Sequence, residues 1–196
     1  MKVLVGCEFS GRVRDAFARL GHDAVSVDLL PSETEGKHII GDVREVIHSD
    51  TWDLAIFFPS CQHLAVSGAK WFAQKRADGR QQEALEFVRT LLNAPIDHIA
   101  IENPVSVIST HIRKADQYVQ PWQFGHGETK KTGLWLKNLP LLTPTNIVDG
   151  REARVHMMAP SEHRWADRSR TYPGIADAMA LQWGSLPIPN KQMELF

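Results

Sequence analysis

The sequence predicts an α/β fold: a Rossmann-like, mainly parallel sheet with helices on both faces and an irregular carboxyl-terminal extension. Two patterns predict it. Short apolar runs rich in β-branched residues alternate with longer amphipathic segments, as in βαβ units. Polar or reactive residues fall directly after the apolar runs, where a parallel sheet gathers its ligand-binding loops. With 196 residues, 43% of them hydrophobic, the chain can bury one sizeable core. A single domain is expected, with a core over residues 1–120 and an extension over 121–196.

The first apolar run, Lys2 to Val5, reads as a strand, and the stretch from about Arg12 to Leu20 as a helix that Gly21 closes. Ala24 to Val27 reads as the second strand, Ile39 and Ile40 as a short third, Leu54 to Phe58 as the fourth and His98 to Ile101 as the fifth. Between the last two, Gln81 to Leu92 carries Leu85, Val88 and Leu92 at helical spacing, which predicts a packed crossover helix. From Pro121 onward prolines, tryptophans and basic residues become frequent and the helical period fades. Gly133 to Leu136 and Val155 to Met158 are expected strands there, and Gly125 to Glu128 a mobile polar loop near the site. Ile175 to Trp183, preceded by Pro173 and ended by Gly184, is a convincing helix.

Composition narrows the function classes. The formal net charge is -1, so a nucleic-acid partner has to be held by a local basic surface. Cys7 and Cys61 lie far apart in a chain whose start shows no leader pattern, which favours reduced thiols and a cytoplasmic setting over a disulfide framework. No run approaches the roughly 18 apolar residues of a membrane span. His63, His126, His156 and His163 come without C-x-x-C or H-x-x-x-H spacing, so no metal is expected.

The strand ends carry the chemistry. The first run leads into Cys7-Glu8-Phe9-Ser10-Gly11, the second into Asp28, the third into Gly41-Asp42, the fourth into Pro59-Ser60-Cys61-Gln62 and the fifth into Glu102-Asn103-Pro104. Each has a plainer role if taken alone: Asp28 and Asp42 as turn residues, Cys61 as an inert buried thiol, Glu102-Asn103-Pro104 as a strand exit. Their shared register along one rim favours a site. A glycine turn before a helix lets a ligand approach backbone amides. Asp28 is placed to accept from ribose hydroxyls, and Asp42 from an adenine amino group. The pattern suits a nucleoside-containing cofactor, and the lack of a full G-x-G-x-x-G disfavours NAD. Cys61 becomes a nucleophile where positive charge or amide donors lower its pKa, and Glu102 a proton donor where burial raises its own. Such a pair permits addition to an electron-poor ring, the thiolate attacking carbon while the acid protonates a ring nitrogen.

These residues resemble the DNA cytosine-5 methyltransferases, and more narrowly their short bacteriophage-type relatives. Phe9-Ser10-Gly11 is similar to the family's Phe-Ala/Ser-Gly cofactor turn, Gly41-Asp42-Val43 to its Gly-Asp-Ile motif and Glu102-Asn103 to its Glu-Asn motif. Phe58 to Gly68 closely resembles its Phe-Pro-Cys-Gln-x-Phe-Ser-x-Ser-Gly nucleophile loop, with Ser60 standing between Pro59 and Cys61. The resemblance implies a class I methyltransferase fold and S-adenosylmethionine as cofactor, held by Phe9, Ser10, Gly11, Asp28, Asp42, Val43 and Pro59. It implies methyl transfer to C5 of cytosine in DNA, in a bacterial or phage-infected cytosol. By the same resemblance Cys61 attacks C6, Glu102, beside Asn103, protonates N3, and Arg154 is the equivalent of the family's assisting arginine, with Lys130 or Lys131 as substitutes. A base inside a duplex must first be flipped out, at a cost of a few kcal/mol.

The family's separate target-recognition domain has little room here, which implies relaxed sequence preference, a very short target context or help from a partner. Lys130, Lys131, Arg164, Arg168 and Arg170, with Arg151, are candidate phosphate contacts, and Trp71, Trp122, Trp135 and Trp165 candidate stacking platforms. Their plainer role is a small core coated by arginines. Alternative functions are a non-catalytic DNA-binding relative, an enzyme acting on a free pyrimidine nucleotide, and methylation of a base amino group. The last typically needs an Asp/Ser/Asn-Pro-Pro-Tyr/Phe turn where this chain has Pro-Ser-Cys-Gln.

Overall fold

Alternation within the first strand sets the layering. β1 (Lys2–Gly6) sends Val3 and Val5 to one face of the sheet and Leu4 to the other, because successive strand side chains point opposite ways. The structure is a computed structural model that describes residues 1–162 and 164–187; the side chain of His156 also lies outside the description. After β1 come α1 (Arg12–Arg19), β2 (Asp23–Asp28), β3 (His38–Ile40), the short α2 (Val43–Val46) and β4 (Leu54–Phe57). α3 (Phe72–Ala77) and α4 (Arg80–Leu92) lead to β5 (His98–Pro104), followed by α5 (Ile108–His111), β6 (Gln117–Val119) and β7 (Thr132–Lys137). The remaining described helices are α6 (Arg154–Met157), α7 (Arg164–Ser169) and α8 (Pro173–Trp183).

The strands form a seven-stranded sheet in the order β3-β2-β1-β4-β5-β7-β6. Pairing is parallel from β3 through β5, and β7 runs antiparallel to both β5 and β6. Strand order therefore reverses between β1 and β4, where diverging loops open a crevice beyond the carboxyl ends. α1 and α8 cover the face carrying Val5 and Ile56, packing Phe17 and Met179 there. α2 and α4 cover the face carrying Leu4 and Phe57 with Val46 and Val88. The Rossmann-like class expected from the alternation is the fold observed.

Several local expectations change. β5 continues past Ile101 because β7 pairs with it as far as Pro104↔Thr132, which puts Glu102 and Asn103 on the strand itself. Val155 to Met158, expected as a strand, falls mostly in helix α6; an apolar run this short has no period to separate the two. Trp135 is fully buried and its indole N–H donates to the Arg113 carbonyl at 2.8 Å, so it is core and not a stacking platform. Trp122 is covered by the Arg151 guanidinium 3.9 Å from its ring. The loop around Glu128 is packed: the buried Glu128 carboxylate accepts from the Tyr172 hydroxyl at 2.5 Å and pairs with Arg154 at 2.7 Å.

The loop after β2 is held from inside by Arg14, which is 1% exposed. Its guanidinium donates to the Ser26 and Ser32 hydroxyls at 3.1 Å, to the Thr34 hydroxyl at 2.6 Å and to the Glu35 carbonyl at 2.9 Å. It also pairs with Asp15 at 2.7 Å. Removing one member of such a buried network leaves the others desolvated and unpaired. Arg14→Met is therefore expected to cost about 3 kcal/mol of stability, read from the urea midpoint. A loss below about 1 kcal/mol would mean that the loop stands without this anchor.

Candidate active site

At the switch point the loops enclose a cavity of 1160 Å³, ample for a nucleoside-sized ligand. Cys7, Glu8, Phe9 and Ser10 line it beyond β1, with Asp28 at the end of β2 and Gly41, Asp42 and Val43 after β3. Pro59, Ser60 and Cys61 after β4, and Glu102 and Asn103 on β5, line the opposite end, with Lys130 and Lys131 leading into β7. Arg164, Trp165, Arg168 and Arg170 lie across it from α7 and the turn that follows. Nearly all of the expected site residues thus share one cavity. Gly11 and Arg154 do not line it. Gly11 begins α1 at a left-handed φ of 72°, where a Cβ would lie 2.0 Å from the Thr34 hydroxyl, so packing is what requires glycine. Arg154 is exposed and paired with Glu128.

At the β4–β5 end, Cys61 is exposed to the cavity. Its loop is fixed from several sides. The Asn103 amide donates to the Pro59 carbonyl at 2.9 Å, and the Cys61 carbonyl accepts from the amides of Leu64 and Ala65 at 3.1 and 2.9 Å. From behind, the buried Lys75 ammonium donates to the Gln62 carbonyl at 2.5 Å and the buried Gln81 amide to the His63 carbonyl at 3.2 Å. Sequence reading overlooks both anchors, because each stands in a run of polar residues, Gln74-Lys75-Arg76 and Arg80-Gln81-Gln82, with nothing to mark it as inward-facing. Crowding by protein and the nearby Glu102 carboxylate raise the Cys61 pKa above that of an ordinary thiol, while Lys130 and Arg168 act in the opposite direction. Burial likewise raises Glu102, against the pull of Lys130 and Thr132. Both groups therefore hold their protons more tightly than they would in water.

The β1–β3 end is acidic. Asp28 accepts from the Leu30 amide at 3.0 Å and is raised by burial. Asp42 caps α2 by accepting from the Arg44 amide at 2.9 Å, and the Arg44 side chain holds its pKa down. Burial, together with Asp28 and Asp42, pushes the Cys7 thiol up to about 12, which leaves it inert as a nucleophile. Glu8 is buried; one carboxyl oxygen accepts from the Ser10 hydroxyl at 2.5 Å, and the Val13 and Arg12 backbone amides at the start of α1 act with Ser10 to hold its pKa down against burial. The Asp28 and Asp42 carboxylates are acceptors that suit the hydroxyl and amino donors of a nucleoside.

Burial pushes Glu8 up to about 7 from an ordinary 4.5. Folding therefore favours its neutral form. Its contribution to stability is complete below pH 4.5 and is lost as pH rises through 7, which amounts to about 3 kcal/mol. Glu8→Gln carries no charge to bury, so it is expected to melt above wild type at about pH 8 and level with it at about pH 4.5. A melting difference that is flat across that range would contradict this.

The segment across the cavity is tied to the loops beyond β1 and β2. Arg170 donates to both Glu33 carboxylate oxygens at 2.7 and 2.5 Å, and Arg12 to the Thr171 carbonyl at 2.8 Å. The Phe9 and Trp165 rings sit 5.5 Å apart. Among the described residues, no group of three or more His, Cys, Asp or Glu side chains could hold a metal ion, and no helix is long and apolar enough to cross a membrane. His163 and the His156 side chain lie outside the described residues.

No family model matches the chain, and no curated protein matches it in sequence. Among solved structures it is similar to that of an E. coli protein encoded within a prophage and assigned as a DNA modification methyltransferase, with a TM-score of 0.50 and 16% identity. The match covers 81% of this chain and 55% of that one. At this identity the likeness establishes a shared Rossmann-like architecture.

Proposed function

We propose that the protein is an S-adenosylmethionine-dependent enzyme that methylates C5 of cytosine in DNA. The observation that carries this reading is that Cys61 and Glu102 line the same cavity as Asp28, Asp42 and Glu8. Phe9, Ser10, Asp28, Asp42, Val43 and Pro59 would hold S-adenosylmethionine, which when bound supplies an electrophilic methyl group. The chain's own residues prepare the acceptor. Cys61 loses its proton and bonds to C6, Glu102 donates a proton to N3, and the displaced electron pair gathers at C5. C5 would bond to the methyl group, the electron pair of the broken methyl–sulfur bond staying on the donor's sulfur; the C5 proton would pass to a solvent base, its electrons would re-form the C5–C6 double bond as the thiolate leaves, and N3 would return its proton to Glu102.

Asn103 would keep thiol and acid in register through its hold on Pro59, and Lys130 and Arg168 would offset the burial that opposes thiolate formation. DNA as acceptor agrees with the assignment of the prophage protein. Lys130, Lys131, Arg164 and Arg168 would contact phosphates. Arg170, engaged with Glu33 and Asp167, would hold the roof of the cavity. Arg154, outside the cavity, takes no part in the step.

The test is incubation with labelled S-adenosylmethionine and DNA, followed by nucleoside mass spectrometry. 5-Methylcytosine is the expected product. N4-methylcytosine or N6-methyladenine would replace the mechanism with amino-group methylation. Tight DNA binding without any product would favour a non-catalytic relative, a reading that the raised Cys61 pKa also favours.

A further inference from the structure

The turn that carries Cys61 is gripped from two sides. The Leu64 amide closes it by donating to the Cys61 carbonyl at 3.1 Å, so Gln62 and His63 are its central residues. Toward β5, the Asn103 amide donates to the Pro59 carbonyl at 2.9 Å, the Val66 amide to the Val105 carbonyl at 3.0 Å and the Val107 amide to the Leu64 carbonyl at 3.0 Å. On the other side both central carbonyls meet buried donors. Lys75 of α3, 8% exposed, donates to the Gln62 carbonyl at 2.5 Å, and Gln81 of α4, 2% exposed, to the His63 carbonyl at 3.2 Å. Lys75 is the costlier of the two. Among the described residues no carboxylate lies within ion-pair distance of it, and of the three N–H donors of its ammonium one has a partner. Desolvating an ammonium without a counter-ion is unfavourable, and a methionine of similar length would fill the space without that penalty. What the ammonium adds is a charge-assisted bond, roughly twice as strong as a neutral one.

We infer that Lys75, seconded by Gln81, is a positioning residue for the nucleophile: by holding the Gln62 carbonyl it fixes the direction in which the turn presents Cys61 to the cavity. The action is geometric. The cations that bear on the Cys61 pKa are Lys130 and Arg168, and Lys75 does not line the cavity. For a thiol that must meet a ring carbon while Glu102 meets a ring nitrogen, a displacement of about 1 Å costs about 10²-fold in rate. The inference rests on Cys61 being the nucleophile, and it deepens that reading by naming what aims the thiol.

Lys75→Met keeps the length of the side chain and removes its hydrogen bond; Gln81→Leu frees the His63 carbonyl alone. Hydrogen exchange of the Leu64 and Ala65 amides, both bonded to the Cys61 carbonyl, reads the turn without any reaction. In Lys75→Met these amides are expected to exchange about tenfold faster and single-turnover methylation to fall about 10²-fold. Affinity for S-adenosylhomocysteine should stay within about twofold, and the melting temperature should equal or exceed that of wild type, because a buried charge has gone. Gln81→Leu should show the same pattern more weakly. Unchanged amide exchange in both variants would overturn the inference and leave the proposed function intact. So would faster exchange with an undiminished methylation rate, and so would a lowered melting temperature joined to weakened S-adenosylhomocysteine binding, the mark of a residue that only packs. A wild type that methylates no DNA would overturn the proposed function and this role together.

Discussion

Replacing Cys61 with alanine is expected to abolish methyl transfer, by about 10⁴-fold or more, while Cys7→Ala continues to turn over. The two thiols differ in ways that set this outcome. Cys7 borders the acidic end of the cavity, where burial and two carboxylates push its pKa up to about 12. Cys61 is exposed to the cavity on the loop next to the Glu102 strand; burial and Glu102 raise its pKa as well, but Lys130 and Arg168 oppose them, and no such cation acts on Cys7. The chain has one other cysteine, Cys7. Because Cys61 is exposed, alanine there creates no core cavity, and stability should move by less than about 0.5 kcal/mol. A single-turnover assay with labelled S-adenosylmethionine reads the rate directly. Residual activity within tenfold of wild type would mean that no thiol adduct lies on the path.

Much of this arrangement was legible in the sequence because a parallel sheet converts one-dimensional order into one rim. Apolar runs such as Leu54 to Phe57 announce strands, and the residues just after them must reach the carboxyl edge. What was not legible depends on long-range placement. The edge strand β6 is three residues of mixed polarity, Gln-Tyr-Val, held by its pairing with β7. The segment across the cavity is positioned by Arg170 and Glu33, 137 residues apart in the chain, a contact that no local spacing encodes. Arg154 resembles the family's assisting arginine by neighbourhood, but its side chain pairs with Glu128 and does not line the cavity.

Glu102→Gln is expected to move two measurements in opposite directions. As a proton donor to N3, Glu102 is worth about 10²- to 10⁴-fold in rate, and glutamine keeps the shape while removing the transferable proton. The same carboxylate raises the Cys61 pKa by its negative charge. Removing that charge lets the thiol ionise more readily, so alkylation of Cys61 by iodoacetamide should quicken several-fold at pH values on the alkaline limb of the rate profile, where Glu102 is ionised. Loosening of the loop would also relieve the burial that raises the Cys61 pKa, so the pair is read only in a variant whose melting temperature equals that of wild type. The pH profile supplies the sign. Burial raises Glu102, so its acid form persists to higher pH than an ordinary carboxyl, and the wild-type rate should fall on the alkaline side as that proton is lost. Glu102→Gln should lose this alkaline limb and keep the rising limb set by Cys61. Slower alkylation together with slower methylation would place the effect of residue 102 in loop geometry and remove it from proton transfer.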